Sequence, residues 1–412
     1  MELTVAELFA GVGGFRVGLN KIKEIDINGR AIEDNVWDFV WANQFEPSTK
    51  IQHAFECYVQ RFGEYNHSNE DINKVIKQDI PNHSLLVGGF PCQDYSVARS
   101  LSKEKGIEGK KGVLFWDIKD VLLAKNPPFV LLENVDRLLK SPASKRGRDF
   151  AIMLKTFDEL NYDVHWRVIN AADYGMPQKR KRVFIFAYKR HLKFAQNQRQ
   201  EIKLNENIFN LEFRAKLKGQ IKVVDLAKYE DTVEISNNFS DGKFLDCGVM
   251  VDGVVNHSDI TPIIEEKYSL GQIINQARVQ DTDLTKYIVK EESLEKWKYL
   301  KGTKRIERTS KNGHSYIYSE GQMSFPENLN EPARTMLTSE GTVNRSSHII
   351  YDEEIKQYRI LTPIECELIQ MFPMNWTNTM TEKKRYFMMG NALVTGIVSR
   401  IEPLLRNIIS ME

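Results

Sequence analysis

Short apolar segments alternate with amphipathic segments over the first 188 residues of the chain. The runs at residues 85–87 and 129–132 are uninterrupted, as is typical of strands that are buried on both faces. Strands are predicted at residues 4–8, 39–42, 85–88, 129–133, 164–169 and 183–187, and helices at residues 14–23, 49–62, 113–124 and 148–160. This alternation indicates an α/β fold built on a doubly wound, mostly parallel sheet.

The pattern changes after Tyr188. Residues 189–328 are polar, rich in lysine and weakly periodic, with alternating segments at residues 222–225 and 315–318 that predict short strands. Thr362, Pro363 and Glu365 then predict a capped helix start, and residues 391–409 predict an amphipathic helix. The expected organisation is a first domain of residues 1–188, a second, smaller mixed domain of residues 189–385, and a C-terminal helix in residues 386–412.

Composition changes this picture little. The chain has 412 residues, of which 42% are hydrophobic and 27% are charged, as in ordinary globular proteins. No apolar stretch reaches the length of a membrane span and no cleavable signal peptide is recognised, so a cytoplasmic protein is expected. A monomer is expected because nothing in the sequence resembles a coiled coil or an extended apolar face. The net charge is +1, but basic residues concentrate in residues 99–111 and 301–311, a distribution that suits either nucleic acid or solvent.

The four cysteines, Cys57, Cys92, Cys247 and Cys366, lie far apart in the sequence. No Cys-x-x-Cys pair or Cys/His cluster occurs, so no metal site is expected. Cys57 and Cys366 lie in amphipathic stretches that are typical of small core residues. Only Cys92 has a context that indicates catalysis.

Cys92 follows a buried strand and a glycine turn, in the sequence Pro91-Cys92-Gln93. Since open α/β sheets bind ligands at the carboxyl ends of their strands, the thiol is predicted at that edge. The strand at residues 129–133 repeats the layout and ends in the carboxylate of Glu133. A nucleophile and an acid on two strand ends indicate covalent catalysis on an electron-poor ring.

Two further segments of the sequence are candidates for ligand binding. The glycine-rich loop of residues 9–14 lets the backbone approach a ligand closely, but its spacing is not G-x-G-x-x-G, which disfavours NAD. Arg180 and Arg182 alternate on a predicted strand and are expected on one face, where guanidinium groups suit a base carbonyl or a phosphate. A solvated basic strand is the alternative.

Together these segments resemble the DNA cytosine-5 methyltransferase family over nearly the whole chain. The motifs appear in the family's order: Glu7-Leu8-Phe9-Ala10-Gly11-Val12-Gly13-Gly14-Phe15, Pro91-Cys92-Gln93, Glu133-Asn134-Val135, Gln178-Lys179-Arg180-Lys181-Arg182, Arg334-Thr335-Met336-Leu337-Thr338 and Gly390-Asn391-Ala392. One such motif is a modest signal, whereas six in order are specific. The resemblance implies a Rossmann-like methyltransferase fold with a target-recognition domain.

The resemblance implies S-adenosylmethionine as cofactor. The first loop would hold its methionine part with Phe9 against it, and Gln44 would bind the ribose where the family commonly has an acid; Glu46 in a shifted register is the alternative. The other cofactor residues that the resemblance implies are Gly11, Val12, Gly14, Phe45, Asp79, Ile80, Pro91, Leu114, Asn391 and Ala392. Of these, Asp79 and Ile80 are expected to end a strand and to face the adenine ring.

The resemblance also implies the chemistry. The Cys92 thiolate would add to C6 of cytosine, while protonated Glu133, held by Asn134, hydrogen-bonds N3. Arg182 would bind the cytosine and its phosphate, with Arg180 in support. The base must leave the duplex to reach the thiol, and residues 93–112 are predicted to close over it. Contacts with double-stranded DNA are expected from Gln93, Ser96, Arg99, Lys304, Arg305, Arg334 and Thr335.

The biological setting follows from resemblance alone. The chain's size resembles bacterial modification enzymes that protect host DNA from a partner restriction endonuclease, and its final third resembles members that modify GATC. A tRNA cytosine-5 methyltransferase is the closest alternative, disfavoured by the long polar middle region. A catalytically idle DNA-binding protein would not need Cys92, Glu133 and Arg182. A nicotinamide oxidoreductase leaves the Pro-Cys-Gln segment unexplained.

Overall fold

The structure, a computed structural model, describes residues 1–90, 114–199, 204–281, 283–310 and 313–412. The chain divides into two compact units. The first comprises Met1–Tyr174, Lys181–Glu265 and Thr395–Glu412, and the second comprises Gly175–Arg180 and Glu266–Val394. None of the described helices is long and apolar enough to cross a membrane.

The elements are numbered along the chain. The strands are β1 (Thr4–Leu8), β2 (Ile22–Ile25), β3 (Ala31–Glu33), β4 (Asp38–Asn43), β5 (His67–Ser68), β6 (Leu85–Gly89), β7 (Phe129–Val135), β8 (Tyr162–Asn170), β9 (Lys181–Lys189), β10 (Ala215–Asp225), β11 (Cys247–Val251), β12 (Val254–Pro262), β13 (Lys304–Thr309), β14 (Ser315–Glu320), β15 (Ile349–Asp352) and β16 (Gln357–Ile360). The helices are α1 (Gly14–Asn20), α2 (His53–Phe62), α3 (Leu114–Lys125), α4 (Arg148–Glu159), α5 (Lys193–Arg199), α6 (Ile208–Glu212), α7 (Thr232–Asn238), α8 (Leu270–Ala277), α9 (Glu291–Lys301), α10 (Pro363–Ile369), α11 (Glu382–Asn391) and α12 (Thr395–Ser410).

A ten-stranded sheet organises the first unit, in the order β10-β12-β11-β8-β9-β7-β6-β1-β4-β5. The strands from β7 to β5 are parallel, and those from β9 to β10 are joined by antiparallel pairs. The predicted α/β class is therefore confirmed, with a sheet that is parallel in one half only.

The polar segment after Tyr188 extends this same sheet through β10, β11 and β12. Strand β10 is at the sheet edge and most of its side chains are exposed, so its sequence lacks the apolar run of a buried strand. The predicted division into a catalytic domain and a target-recognition domain stays a prediction.

The core of the first unit lies where helices α3 and α4 cover the sheet. Leu86, Val130, Ile118 and Phe150 are completely buried in one cluster there. The C-terminal helix α12 packs on α1 so closely that a Cβ built at Gly18 would lie 2.5 Å from Cβ of Val398. Any larger residue at position 18 would therefore separate the two helices.

The second unit contains two small hairpins, β13–β14 and β15–β16, and helices α8 to α11. Helix α10 begins as predicted: the backbone N–H of Glu365 donates to Oγ1 of Thr362 at 3.1 Å, and the Glu365 carboxylate accepts from the N–H of Thr362 at 2.8 Å. Pro363 occupies the first turn, where no N–H is needed.

Two local predictions were wrong. Helix α1 ends at Asn20 because Lys21 has a positive φ of 47°, and the β2–β3 hairpin follows directly. Asp79 and Ile80 do not end a strand, since Asp79 closes a short 3-10 turn and Ile80 is buried in the core.

Candidate active site

Four strands bring their carboxyl ends to one edge of the sheet. Leu8 at the end of β1 is paired with Asn43 of β4 and with Gly88 of β6, and Gly89 is paired with Glu133 of β7. The glycine-rich loop, the segment after Asn43, the residues before Cys92 and Glu133 therefore share this edge. The sequence predicted this convergence because Cys92 and Glu133 both follow the ends of apolar strands in an open α/β sheet.

Glu133 and Arg182 form an ion pair at this edge. Strands β7 and β9 are antiparallel, and Nε of Arg182 lies 2.9 Å from Oε1 of Glu133, with each side chain less than one-fifth exposed. A Cβ built at Gly89 would lie 3.2 Å from Oε2 of Glu133, so glycine leaves room for the carboxylate. The pair holds an acid and a planar cation in fixed orientation beside the strand that leads to Cys92.

Asn134 connects strand β7 to the end of strand β6. Its Nδ2 donates to the backbone oxygen of Phe90 at 3.0 Å, and its side chain is almost fully buried. The sequence predicted that Asn134 holds Glu133, whereas the structure shows that it holds the peptide just before Pro91. Nothing in the sequence identifies a backbone acceptor 44 residues away.

Arg180 does not lie on the strand with Arg182. Strand β9 begins at Lys181, and Arg180 belongs to the second unit, where it donates to the backbone oxygens of Met336 at 3.1 Å and Gly390 at 3.0 Å. The prediction of one shared face was therefore wrong. The reason is that the backbone N–H of Lys179 bonds to Ala333, which keeps this segment out of the sheet ladder.

The glycine-rich loop has an unusual backbone and an open side. Phe9 has a positive φ of 54°, which is rare for a bulky residue and common at ligand sites. Gly11 also has a positive φ, and a Cβ built there would meet no atom within 4 Å. A Cβ at Gly13 would lie 2.5 Å from the Phe62 ring. Gln44 fixes the loop, since its Oε1 accepts from the N–H of Gly11 at 2.8 Å.

The other predicted cofactor residues occupy varied surroundings. Phe45 is half-buried after β4, and Glu46 accepts a long hydrogen bond from the N–H of Ala54 in α2 at 3.4 Å. Val12, Gly14 and Ile80 are buried, Asp79 is exposed and Leu114 packs partly against the core. Asn391 and Ala392 belong to the second unit, at the end of helix α11.

The predicted DNA contacts are partly engaged within the protein. Lys304 pairs with Glu320 at 2.8 Å and Arg334 pairs with Glu327 at 2.6 Å, while the Thr335 hydroxyl donates to the backbone oxygen of Lys179. Arg305 is exposed on β13. The predictions for Pro91, Cys92, Gln93, Ser96 and Arg99 lie outside the described residues.

Sequence reasoning assigned no role to the side chain of Glu7. It is fully buried on β1, and its Oε2 accepts from the hydroxyl of Tyr58 at 3.0 Å. Burial raises the pKa of the Glu7 carboxyl from 4.5 to about 8, against the opposing effects of the Tyr58 hydrogen bond and the charge of Arg16. One feature of the sequence could have pointed to Glu7: it is an acid within an apolar strand, just before the glycine-rich loop.

We expect the contribution of Glu7 to the free energy of unfolding to fall as pH rises from 4.5 to 8. The folded protein keeps the Glu7 proton up to about pH 8, whereas the unfolded chain releases it near 4.5, so between these values this group favours unfolding by about 1.4 kcal/mol more for each pH unit. Urea unfolding across this range should show that the difference in free energy of unfolding between wild type and Glu7→Gln changes steadily with pH. The difference between wild type and Glu24→Gln, at an exposed position, should stay constant. Parallel curves for wild type and Glu7→Gln would contradict this assignment.

The amino-acid sequence of this chain is similar to those of known proteins along most of its length. Residues 3–406 match the C-5 cytosine-specific DNA methylase family. The chain is 48% identical over 410 residues to the Type II methyltransferase M.Sau3AI of Staphylococcus aureus, covering 97% of this chain and 94% of that protein. It is 34% identical over 190 residues to the Type II methyltransferase M.HhaI of Haemophilus parahaemolyticus, covering 46% of this chain and 50% of that protein.

A solved structure shows the same fold. The S. pombe Dnmt2 methyltransferase superposes with a TM-score of 0.58 at 16% identity, covering 100% of this chain and 99% of that chain. The family predicted from the six ordered motifs is confirmed. The chain belongs to the C-5 cytosine-specific DNA methylases, enzymes that transfer a methyl group to carbon 5 of cytosine in DNA.

Proposed function

We propose that this protein uses S-adenosylmethionine to methylate cytosine within one short sequence of double-stranded DNA, by attack of Cys92 on a base turned out of the duplex. The observation that carries the proposal is the ion pair of Glu133 with Arg182 at the strand end beside Phe90. An acid and a guanidinium group held side by side match the polar edge of a cytosine, which carries a ring nitrogen next to a carbonyl oxygen.

The glycine-rich loop supports S-adenosylmethionine as the cofactor. The side of the loop at Gly11 is open, and Phe9 offers an aromatic ring next to it. We assign the ribose to Gln44 rather than Glu46, because the Glu46 carboxylate already accepts from the start of α2. Among the residues that the structure describes, none forms a hydrogen bond with Nε2 of Gln44, so this group is available to a ligand while Oε1 holds the loop. When bound, S-adenosylmethionine supplies an electrophilic methyl group.

The residues of this chain then have distinct parts in the reaction. The Cys92 thiolate forms a bond to C6 of cytosine, and Glu133 donates a hydrogen bond to N3 where negative charge grows. That donation requires a proton on the carboxyl group when the base enters. Arg182 orients Glu133 and binds the base carbonyl. Asn134 fixes the backbone before Pro91 and so positions the nucleophile. After C5 has taken up the methyl group, loss of the C5 proton to water and release of the thiolate restore the aromatic ring.

The finer parts of the proposal rest on resemblance to type II modification enzymes. We propose GATC as the target and a restriction endonuclease as the functional partner. The predicted closure of residues 93–112 over the flipped base lies outside the described residues. A methyl group at C5 lies in the major groove, where it alters what a nuclease reads. Protection of methylated DNA from a GATC-cleaving nuclease would support both target and setting.

The function is tested by methyl transfer to plasmid DNA followed by bisulfite sequencing. We expect methylation at one short motif by the wild type and none by Cys92→Ala. Label found on tRNA but not on DNA would move the protein to the tRNA methyltransferases. Transfer that Cys92→Ala retains would overturn the covalent mechanism.

Substitutions of two loop glycines should separate cofactor binding from stability. Gly11→Ala places a methyl group in the open side of the loop, so we expect weaker S-adenosylmethionine binding and a stability loss of about 1 kcal/mol from its positive φ. Gly13→Ala drives a methyl group into Phe62 and should lose more stability. Calorimetric titration and thermal unfolding measure the two effects. Wild-type cofactor affinity in Gly11→Ala would contradict the assignment of the loop.

A further inference from the structure

The hairpin β13–β14 in the second unit is exposed on both of its faces. Its strands pair from Lys304 opposite Glu320 to Thr309 opposite Ser315. An isolated two-stranded hairpin is marginally stable at best. Contacts beyond the ladder of two strands must therefore stabilise it.

One face is held together by its own side chains, and we call it the anchored face. It comprises Lys304, Ile306, Arg308, Tyr316, Tyr318 and Glu320. The Lys304 ammonium lies 2.8 Å from the Glu320 carboxylate, and the Arg308 guanidinium lies 3.8 Å from the centre of the Tyr318 ring. Arg345 ties the base of the hairpin, since it lies 3.4 Å from Glu320 and donates to the backbone oxygen of Gly302. The charges of this face are therefore engaged within the protein.

The opposite face, which we call the reading face, carries Arg305, Glu307, Thr309, Ser315, Ile317 and Ser319. All six are exposed, and Ile317 keeps 55% of its surface accessible. Within the part of the chain that the structure describes, none of these side chains forms a hydrogen bond, an ion pair or a ring contact. The hairpin therefore presents one guanidinium group, one carboxylate, three hydroxyls and one branched apolar group that are available to a binding partner.

We propose that the reading face contacts base edges in the major groove of the target duplex. The proposal rests on the proposed methylation of double-stranded DNA and assigns its sequence choice to particular residues. The major groove, about 12 Å wide, admits a two-stranded ribbon. Arg305 has the fork that pairs with guanine O6 and N7, Glu307 accepts from a cytosine amino group, and Ile317 offers an apolar contact to a thymine methyl group.

Charge supports DNA as the occupant. Residues 301–320 contain five Lys or Arg residues and two Glu residues, so this segment suits the phosphates that flank the groove. The two faces also give different roles to two neighbouring residues that were both predicted to contact DNA. Lys304 stabilises the anchored face, whereas Arg305 reads a base.

Arg305→Ala and Arg308→Ala form the test, because each removes one exposed positive charge, from opposite faces of the same strand. The target of the wild type is first mapped by bisulfite sequencing. kcat/KM is then measured on a short duplex with that target and on duplexes that change each base pair in turn. We expect Arg305→Ala to lower kcat/KM on the target about tenfold to a hundredfold and to lose discrimination at one G·C pair. Arg308→Ala should lower kcat/KM on every duplex by the same small factor.

Glu307→Gln provides a second variant on the reading face, with nearly unchanged shape. It should weaken discrimination at a C·G pair. If Arg305→Ala and Glu307→Gln both fold and keep wild-type discrimination at every position, the reading-face assignment is overturned and the methylation proposal stands. If the wild type methylates no DNA, the proposed function fails first, and this assignment fails with it.

Discussion

Glu133→Gln is expected to lower kcat about 10²- to 10³-fold, with a much smaller change in KM. The glutamine amide can still donate a hydrogen bond to N3, so the base should still bind in the site. It has no proton to share with the ring as charge develops, so the addition of the thiolate loses its main stabilisation. Single-turnover methyl transfer on a short target duplex measures the chemical step directly.

Glu133→Ala and Arg182→Ala serve as comparisons for this prediction. Alanine at position 133 removes the hydrogen bond as well as the proton, so KM should rise along with the fall in kcat. Arg182→Ala leaves the Glu133 carboxylate without its 2.9 Å partner, and we expect it to affect both constants. Equal kcat values for Glu133→Gln and wild type would exclude Glu133 from the chemistry.

Arg359→Met is expected to destabilise the second unit by about 3–5 kcal/mol, because it leaves buried carboxylates without their partner. Arg359 is fully buried, its Nε lies 2.7 Å from Asp352, and its two terminal nitrogens bond the Glu365 carboxylate at 2.9 and 2.6 Å. Glu365 is also the residue that caps helix α10. The substitution should therefore loosen the β15–β16 hairpin and the start of α10 together.

Amide hydrogen exchange of peptides from residues 349–369, measured with thermal unfolding, checks this prediction. Arg278→Met is the matched control, since Arg278 binds the same Asp352 at 2.6 Å but is partly exposed and leaves Arg359 in place. We expect a clearly smaller loss of protection in the control. Similar protection in Arg359→Met and wild type would show that the buried carboxylates find other partners.

The parts of the fold that could be predicted from sequence are those with strong local signals. The uninterrupted apolar runs predicted strands β6 and β7, and Thr362 with Glu365 predicted the start of α10. The repeated layout, an apolar strand that ends in a functional side chain, also predicted that Glu133 would lie at the same edge as the segment before Cys92. Each of these follows from periodicity, capping chemistry or the general behaviour of α/β sheets.

The remaining features depend on contacts between distant residues. Arg180 was placed on a strand because it alternates with Arg182, but a hydrogen bond from Lys179 to Ala333 takes that segment away from the sheet. The bond from Asn134 to Phe90 joins two strand ends whose side chains give no local signal. The sequence did not predict that β10 belongs to the large sheet, because an exposed edge strand need not be apolar.

Trapping with 5-fluorocytosine tests the central claim most directly. A target duplex that carries fluorine at C5 cannot lose a proton there, so an enzyme that attacks C6 stays attached to the base. With S-adenosylmethionine present, we predict a one-to-one covalent complex whose attachment maps by mass spectrometry to Cys92, and no complex with Cys92→Ser. Absence of a complex with a wild-type enzyme that methylates the unmodified duplex, or attachment at another residue, would contradict the account.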